Sequence, residues 1–389
     1  MAKQRVPLRF RKVHGRFVPG NAVKFLRDGR EAFPAMLEAI REAKRQVLLE
    51  MYWFDSDRIG RRFAAALAQA RERGVEVALI YDAIGSITAD RGMFAELEQR
   101  GVQVLEYNPV APWRRAFKLS FNRLSRRDHR KVLVIDGNVG FIGGINIADQ
   151  WLPVEDDGGG WRDDMMRIAG PAVEGLSRCF HRVWRRHEGP TIQRLHAQQY
   201  APSAGERLLP VRILGDRYFR HRHEIARDYA SRLYAAKRCA YIANSYFLPD
   251  GSARRALERA AKRGVDVRVL VPAHSDVEVV RYAARAQYQS LLDAGVRIFE
   301  WQQGMYHAKT AVIDGEWCTT GTFNFDYMSV RSNLEINASV LDPELAGEVE
   351  AAFHHDLTFT HEIDVRAFQA RSFSVRLLES GLYRLRKFL

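Results

Sequence analysis

A chain of 389 residues exceeds the length at which one hydrophobic core keeps growing, so two packed domains or one duplicated fold is expected. The net charge is +13, and only ten of the 60 cationic residues are lysine, so planar guanidinium forks dominate and fit phosphate-rich partners such as anionic lipid or nucleic acid. Three separated cysteines, Cys179, Cys239 and Cys318, argue against a C-x-x-C zinc site or a disulfide framework and fit a reducing compartment. The first residues lack the apolar stretch of a secretion signal, and no uncharged apolar run of about 18 residues occurs, so neither membrane crossing nor secretion by the usual signal is expected.

In chain order, Val23-Lys24-Phe25-Leu26 reads as a short strand, and Phe33, Met36, Leu37 and Ile40 mark one face of a helix ending near Lys44. The apolar run from Val47 to Phe54 reads as a buried strand. A helix from Phe63 to Arg73 stops at Gly74, strands follow at 75–82 and 102–107, and a helix from Phe94 to Arg100 lies between them. Strands alternating with glycine-terminated helices predict α/β architecture with a largely parallel sheet. From Val211 the same order returns: Arg263-Gly264-Val265 answers Arg73-Gly74-Val75, and Gly295-Val296 answers Gly101-Val102. The polar stretch 186–207, with Pro190, Pro202 and Gly205, reads as the connector between repeats 1–185 and 208–360.

Each repeat ends in the same spelling, H-x-K-x4-D-G: His129, Lys131, Asp136 and Gly137 in the first, His307, Lys309, Asp314 and Gly315 in the second. Gly143 and Asn146 follow the first motif at the distances at which Gly321 and Asn324 follow the second, so the unit is duplicated. A lone histidine on a strand is usually structural, but a core histidine has no reason to be accompanied twice by the same lysine and aspartate. On a strand, His129 and Lys131 share a face, as do His307 and Lys309. Two facing copies would join two imidazoles and two ammonium groups, the equipment for metal-independent phosphodiester chemistry: cations neutralise phosphate, one histidine attacks phosphorus, the other protonates the leaving alkoxide. An attacking imidazole needs its other nitrogen held, and a carboxylate downstream in each repeat is placed to hold it: Asp163 (or Asp164) after His129, and Glu335 after His307.

Three segments break the symmetry. Between Tyr107 and His129 the first repeat inserts Arg114, Arg115, Lys118, Arg123, Arg126 and Arg127 among Trp113, Phe117 and Phe121, a pattern suited to a phosphate-bearing interface. The acidic run Glu155-Asp156-Asp157 before three glycines reads as a surface loop, with a lid as the alternative. Residues 361–389 read as a basic amphipathic helix: Phe368, Val375, Leu378, Leu382, Leu385 and Leu389 recur at helical spacing, with arginines between, so it either lies on an anionic bilayer or docks on the protein.

The duplicated motif with its trailing glycine and asparagine resembles the phospholipase D superfamily over about residues 20 to 360. Phe141-Ile142-Gly143-Gly144-Ile145-Asn146, Trp161-Arg162-Asp163 and Gly321-Thr322-Phe323-Asn324 are similar to bacterial cardiolipin synthases of the shorter type without N-terminal transmembrane helices. The resemblance implies two α/β/α repeats with mostly parallel sheets packed face to face around one active site. It also implies a phosphatidyl-histidine on His129, with His307 as general acid and then base. Lys131, Lys309, Asn146 and Asn324 would hold phosphate, Gly143, Thr322, Asp163 and Glu335 would support the site, and Asp136 and Asp314 would brace the motif strands. Thr322 stands where serine is common and keeps the hydroxyl. No cofactor or metal is implied. The implied partner is an anionic membrane containing phosphatidylglycerol and cardiolipin, reached peripherally from the cytoplasmic side of the bacterial inner membrane, with Trp113, Arg114, Arg115 and Phe117 at the headgroups. A hydrolytic phospholipase D, a nuclease of the same superfamily and a non-catalytic phosphate-binding protein are the other readings.

Overall fold

The structure, a computed structural model, describes residues 16–109, 126–196, 202, 205–215 and 223–385. In the first repeat the order is β1 (Val18–Arg27), α1 (Asp28–Glu42), β2 (Gln46–Met51), α2 (Arg58–Glu72), β3 (Glu76–Asp82), α3 (Arg91–Gln99), β4 (Gln103–Tyr107), β5 (Lys131–Ile135), β6 (Val139–Gly143), β7 (Asp164–Ala169) and α4 (Val173–Arg186). The second repeat runs β8 (Leu209–Gly215), α5 (Glu224–Ala235), β9 (Cys239–Asn244), α6 (Gly251–Lys262), β10 (Asp266–Pro272), α7 (Glu278–Asp293) and β11 (Arg297–Trp301). It continues through β12 (Lys309–Ile313), β13 (Trp317–Gly321), α8 (Tyr327–Arg331), β14 (Ile336–Leu341) and α9 (Pro343–Leu357).

The motif strands are buried along their whole length, as their continuous apolar runs require. Local chemistry sets the helix limits: Asp57 accepts from the Gly60 N–H to start α2, and Gly74 at φ +87° ends that turn in a conformation that suits glycine. β2 stops at Met51, earlier than the apolar run predicts, because Trp53 leaves the ladder and donates its N–H to Asn146.

The α/β class and the duplication hold, but the strand direction differs from expectation. Of the fourteen pairings between named strands among the described residues, only β2–β3, β3–β4, β9–β10 and β10–β11 are parallel; the other ten are antiparallel. The motif strands explain this. β5 and β12 each return by a short turn into β6 and β13, and a tight hairpin can join only antiparallel strands. The repeats also share an edge, β1 against β8, so one sheet of 15 strands runs through both.

Three cores result. One lies under α1, α2 and α3, and one under α5, α6 and α7. The third draws on both repeats, packing Leu48, Val132 and Met166 with Tyr241, Val312 and Ile336 around Trp184 of α4 and Phe353 of α9. This shared core fixes the two motif strands relative to one another.

The C-terminal segment departs from one continuous helix. It begins as β15 (Thr360–Glu362), which pairs with β11, and continues as α10 (Val365–Gln369) and α11 (Phe373–Arg384). Phe368 and Leu382 pack on the core of the second repeat, whereas Leu378 and Leu385 face solvent, so the predicted stripe is split. No helix among the described residues is long and apolar enough to cross a membrane.

Candidate active site

Lys131 opens β5 and pairs with Met51; Lys309 opens β12 and pairs with Asn244. Two residues upstream of each lysine, the histidine backbone is tied to the opposite repeat. His129 N–H donates to Leu334 O at 3.1 Å, and Leu334 N–H donates to Arg127 O at 2.9 Å; His307 N–H donates to Arg162 O at 2.7 Å, and Arg162 N–H to Met305 O at 3.0 Å. These bridges deliver the residues next to Leu334 and Arg162, namely Glu335 and Asp163, to the histidine of the other repeat.

The carboxylates are therefore exchanged relative to the sequence expectation. His129 Nδ1 lies 3.1 and 3.2 Å from the Glu335 carboxylate oxygens, and His307 Nδ1 lies 2.6 Å from Asp163 Oδ2. An ionised carboxylate only accepts, so each Nδ1 carries the proton and each Nε2 keeps its lone pair. Glu335 is fixed by Ser329 Oγ–H at 2.8 Å and by the Thr322 hydroxyl. Asp163 accepts from the Trp151 indole at 3.0 Å and from the Asp164 N–H at 2.8 Å. Asp164 instead meets Arg162 and the Thr310 hydroxyl, so Asp163 is the residue that holds His307.

Both lysines are fully buried. Lys131 Nζ donates to His129 O at 2.7 Å and lies 4.8 Å from the centre of the Tyr52 ring; Lys309 Nζ donates to Ser245 Oγ at 2.8 Å and to His307 O. Burial, and then the charge of Lys309, pull the Lys131 ammonium down to about 7, and burial pulls Lys309 down to about 8. His129 is held below the usual imidazole range by burial and by Lys131, and His307 well below it by burial and by Lys309. Burial raises Asp163 to about 6. Burial also acts to raise Glu335, but His129, Thr322 and Lys131 together outweigh it and leave this carboxylate below its usual range. The resting pocket thus sets two weakly held ammonium groups against two carboxylates, and a phosphate diester anion entering it would favour the charged form of the lysines.

Asn146 Oδ1 accepts from Trp53 N–H at 3.1 Å, and Asn324 Oδ1 accepts from Ser245 Oγ–H at 2.9 Å. Among the described residues neither side-chain amide nitrogen has a hydrogen-bond partner, which leaves two pairs of donors. Gly143 has a packing role: a Cβ there would stand 2.2 Å from the Asp164 carbonyl oxygen, and one at Gly144 would stand 2.1 Å from the Asp163 carboxylate. Asp136 and Asp314 lie at the far ends of their strands, away from the histidines. Each sits at positive φ before a glycine and accepts three backbone N–H groups, of Lys44, Arg45 and Gln46 or of Lys237, Arg238 and Cys239.

Several neighbours escape a search for repeated motifs. Tyr52 lies edge-on to His129 at 4.9 Å, and Trp151, Trp161 and Tyr246 surround His307 at 5.3, 5.6 and 6.3 Å. Tyr52 and Ser245 both directly follow a strand that pairs with a motif strand, yet differ in identity, so comparing repeats does not flag them. Trp113, Arg114, Arg115 and Phe117 lie outside the described residues. Arg127, from the same insertion, is buried and bonded to Asp82 at 2.7 Å, so it is no surface cation. The acidic insertion folds back as a loop, with Glu155 paired to Arg30 at 2.9 Å and Trp161 N–H bonded to Gln150 O.

Two imidazoles with fixed tautomers, beside two ammonium groups and two amide donors, form a site suited to attack on a phosphate diester. The family model described as "Cardiolipin synthase, PLD-like domain" matches residues 36–183 and 229–357. "Cardiolipin synthase 2" of Bacillus anthracis is 33% identical over 360 residues, covering 92% of this chain and 69% of the relative. "Cardiolipin synthase" of Geobacillus thermodenitrificans is 34% identical over 360 residues, covering 91% and 70%. The fold is similar to that of the phosphatidylserine synthase of Haemophilus influenzae, with a TM-score of 0.72 at 13% identity over 97% of this chain and 98% of that one. A polyphosphate kinase from Porphyromonas gingivalis has a TM-score of 0.60 at 13% identity over 94% of this chain and 53% of its own. The chain belongs to the phospholipase D-like cardiolipin synthase family.

Proposed function

We propose that the protein makes cardiolipin by moving a phosphatidyl group between two phosphatidylglycerol molecules through a phosphohistidine. The exchanged histidine–carboxylate pairs carry this reading, because they leave both Nε2 atoms free at a site built equally from the two repeats. His129 Nε2 attacks phosphorus, a P–N bond forms, and the P–O bond to the leaving glycerol breaks as His307 delivers a proton to that oxygen. His307, now neutral, takes the proton from a hydroxyl of the second phosphatidylglycerol, whose oxygen displaces His129 and breaks the P–N bond. Lys131, Lys309, Asn146 and Asn324 stabilise the charge on the non-bridging oxygens. Glu335 and Asp163 hold the two tautomers. His307 tends toward the neutral form in the resting site and becomes the proton donor for the departing glycerol only once the diester anion has arrived, because that charge favours the imidazolium.

We infer that the enzyme works peripherally at the cytoplasmic face of the inner membrane, where it would meet both substrates. Water in place of the second lipid would give a hydrolytic phospholipase D, and a strand of DNA in the same groove a nuclease. The test is to incubate the protein with labelled phosphatidylglycerol vesicles in chelator and separate the lipids. Cardiolipin and glycerol in equal amounts are expected; phosphatidic acid alone, or cleaved plasmid without new lipid, would overturn the reading.

A further inference from the structure

α10 and α11 lie along α7. Phe368 stacks on Tyr288 at 6.1 Å, Gln369 reaches Asp293 at 3.3 Å and Arg285 reaches Glu379 at 3.3 Å, so α11 runs antiparallel to α7. Its C-terminal end heads for the start of α7. There Val277 and Val279 are exposed and Asp276 accepts from the Tyr246 hydroxyl at 2.6 Å, beside His307. Tyr383 of α11 also lines a cavity of about 430 Å³ together with Leu248, Tyr327, Val330, Arg255 and Arg331.

Leu382 and Tyr383 of α11 pack on the core, yet the outer face of the helix is too apolar for one that meets only water. Toward the protein it buries Glu379, 1% exposed and bonded by Arg285 and by Arg371 at 2.8 Å. Outward it turns Phe373, Leu377 and Leu378, which are 77%, 61% and 52% exposed. A surface helix in water normally does the reverse. The exposed apolar residues are also concentrated: six of the eleven large ones among the described residues fall between Val365 and Leu385, which marks a contact surface and not ordinary scatter. Arg376 and Arg384 are exposed on the same helix, and among the described residues neither has a carboxylate partner; the same holds for Arg255 and Arg331 at the adjoining cavity.

We propose that α11 is an interfacial helix that seats the enzyme on an anionic phospholipid bilayer. Phe373, Leu377 and Leu378 enter the boundary between headgroups and acyl chains, and Arg376 and Arg384 meet lipid phosphates. The seat turns the His307 side of the active site toward the lipid, and it rests on the reading of the substrate as a membrane phospholipid. A second copy of the chain fits the patch poorly, since a two-fold contact would set these arginines against their own copies on a protein of net charge +13.

The test uses the full chain, with sedimentation on phosphatidylcholine vesicles made with and without phosphatidylglycerol. The protein should bind the anionic vesicles, and the combined Phe373→Ser, Leu377→Ser and Leu378→Ser variant should bind them about tenfold more weakly or worse. Its melting temperature and its turnover of phosphatidylglycerol dispersed in detergent micelles should not change. Arg376→Gln with Arg384→Gln should weaken vesicle binding and flatten its salt dependence. Equal vesicle binding by wild type and the serine variant would overturn the proposal. So would loss of self-association in that variant with vesicle binding intact, which would make the stripe an interface between copies. Vesicle binding that depends on the stripe, in a protein that forms no new phospholipid, would uphold the seat while removing the phosphatidyltransfer reading.

Discussion

His129 of the first repeat is held by Glu335 of the second, 3.1 Å from Nδ1 to the carboxylate, and the reciprocal pair His307 and Asp163 closes the exchange at 2.6 Å. Neither repeat therefore contains a complete histidine–carboxylate unit. Glu335→Gln should impair the attack step and Asp163→Asn the proton transfers, each slowing turnover by roughly 10²–10⁴-fold. Rapid-quench mass spectrometry separates them: Glu335→Gln should form little phosphohistidine, whereas Asp163→Asn should retain detectable intermediate on His129 and resolve it slowly. The reverse assignment would exchange the roles of the two histidines.

The pH profile follows from the buried lysines. Lys131, at about 7, and Lys309, at about 8, lose their charge as pH rises through those values in the free enzyme, and with it their hold on the diester. kcat/KM should therefore fall on the alkaline side between about pH 7 and 8. A bound phosphate anion favours the ammonium forms, so the limb in kcat should lie at higher pH. Because the charge of Lys309 depresses Lys131, Lys309→Met should move the surviving limb upward while lowering activity. A limb that stays in place would show that another group sets it.

Much of the candidate site could be read because duplication repeats its spelling: His129, Lys131 and Asn146 recur at one offset as His307, Lys309 and Asn324. The exchange of Asp163 and Glu335 was not legible, because spacing along a chain reports the repeat in which a carboxylate sits and not which motif strand it bridges. Glycine-ended helices made the α/β class readable, yet the antiparallel majority lay hidden in the short turn after Asp136 and Asp314. The apolar outer face of α11 was missed for a related reason. Periodicity marks an apolar stripe, but only packing shows that Glu379 goes in and Phe373 stays out.

Asp136 and Asp314 are expected to support the fold without acting in the reaction. Each accepts three backbone N–H groups and stands at positive φ, pinning the hairpin of its motif strand to the start of β2 or β9. Losing such a charge-assisted set costs about 2–3 kcal/mol. Asp136→Ala should lower the unfolding free energy obtained from urea melts by that amount while specific activity, measured where the variant is fully folded, stays within about threefold of wild type. A collapse in kcat with unchanged stability would assign the aspartate a direct part in the chemistry.

Lys131 should lower stability where it is charged. Its folded value, about 7, lies below the ordinary lysine value of 10.5, so below pH 7 both folded and unfolded states carry the proton and the folded state bears the full burden of a buried charge. Between about 7 and 10.5 the unfolded chain binds more protons than the folded one, so wild-type stability rises with pH across that window. Lys131→Met, of similar length and apolar, should raise stability by about 1–2 kcal/mol at neutral pH while abolishing turnover, as expected of a residue kept for function. Chemical melts at pH 6.5 and pH 9.5 check the sign, with the larger gain expected at the lower pH. A variant less stable than wild type at pH 6.5 would show that the ammonium, through its bond to the His129 carbonyl, holds the fold together.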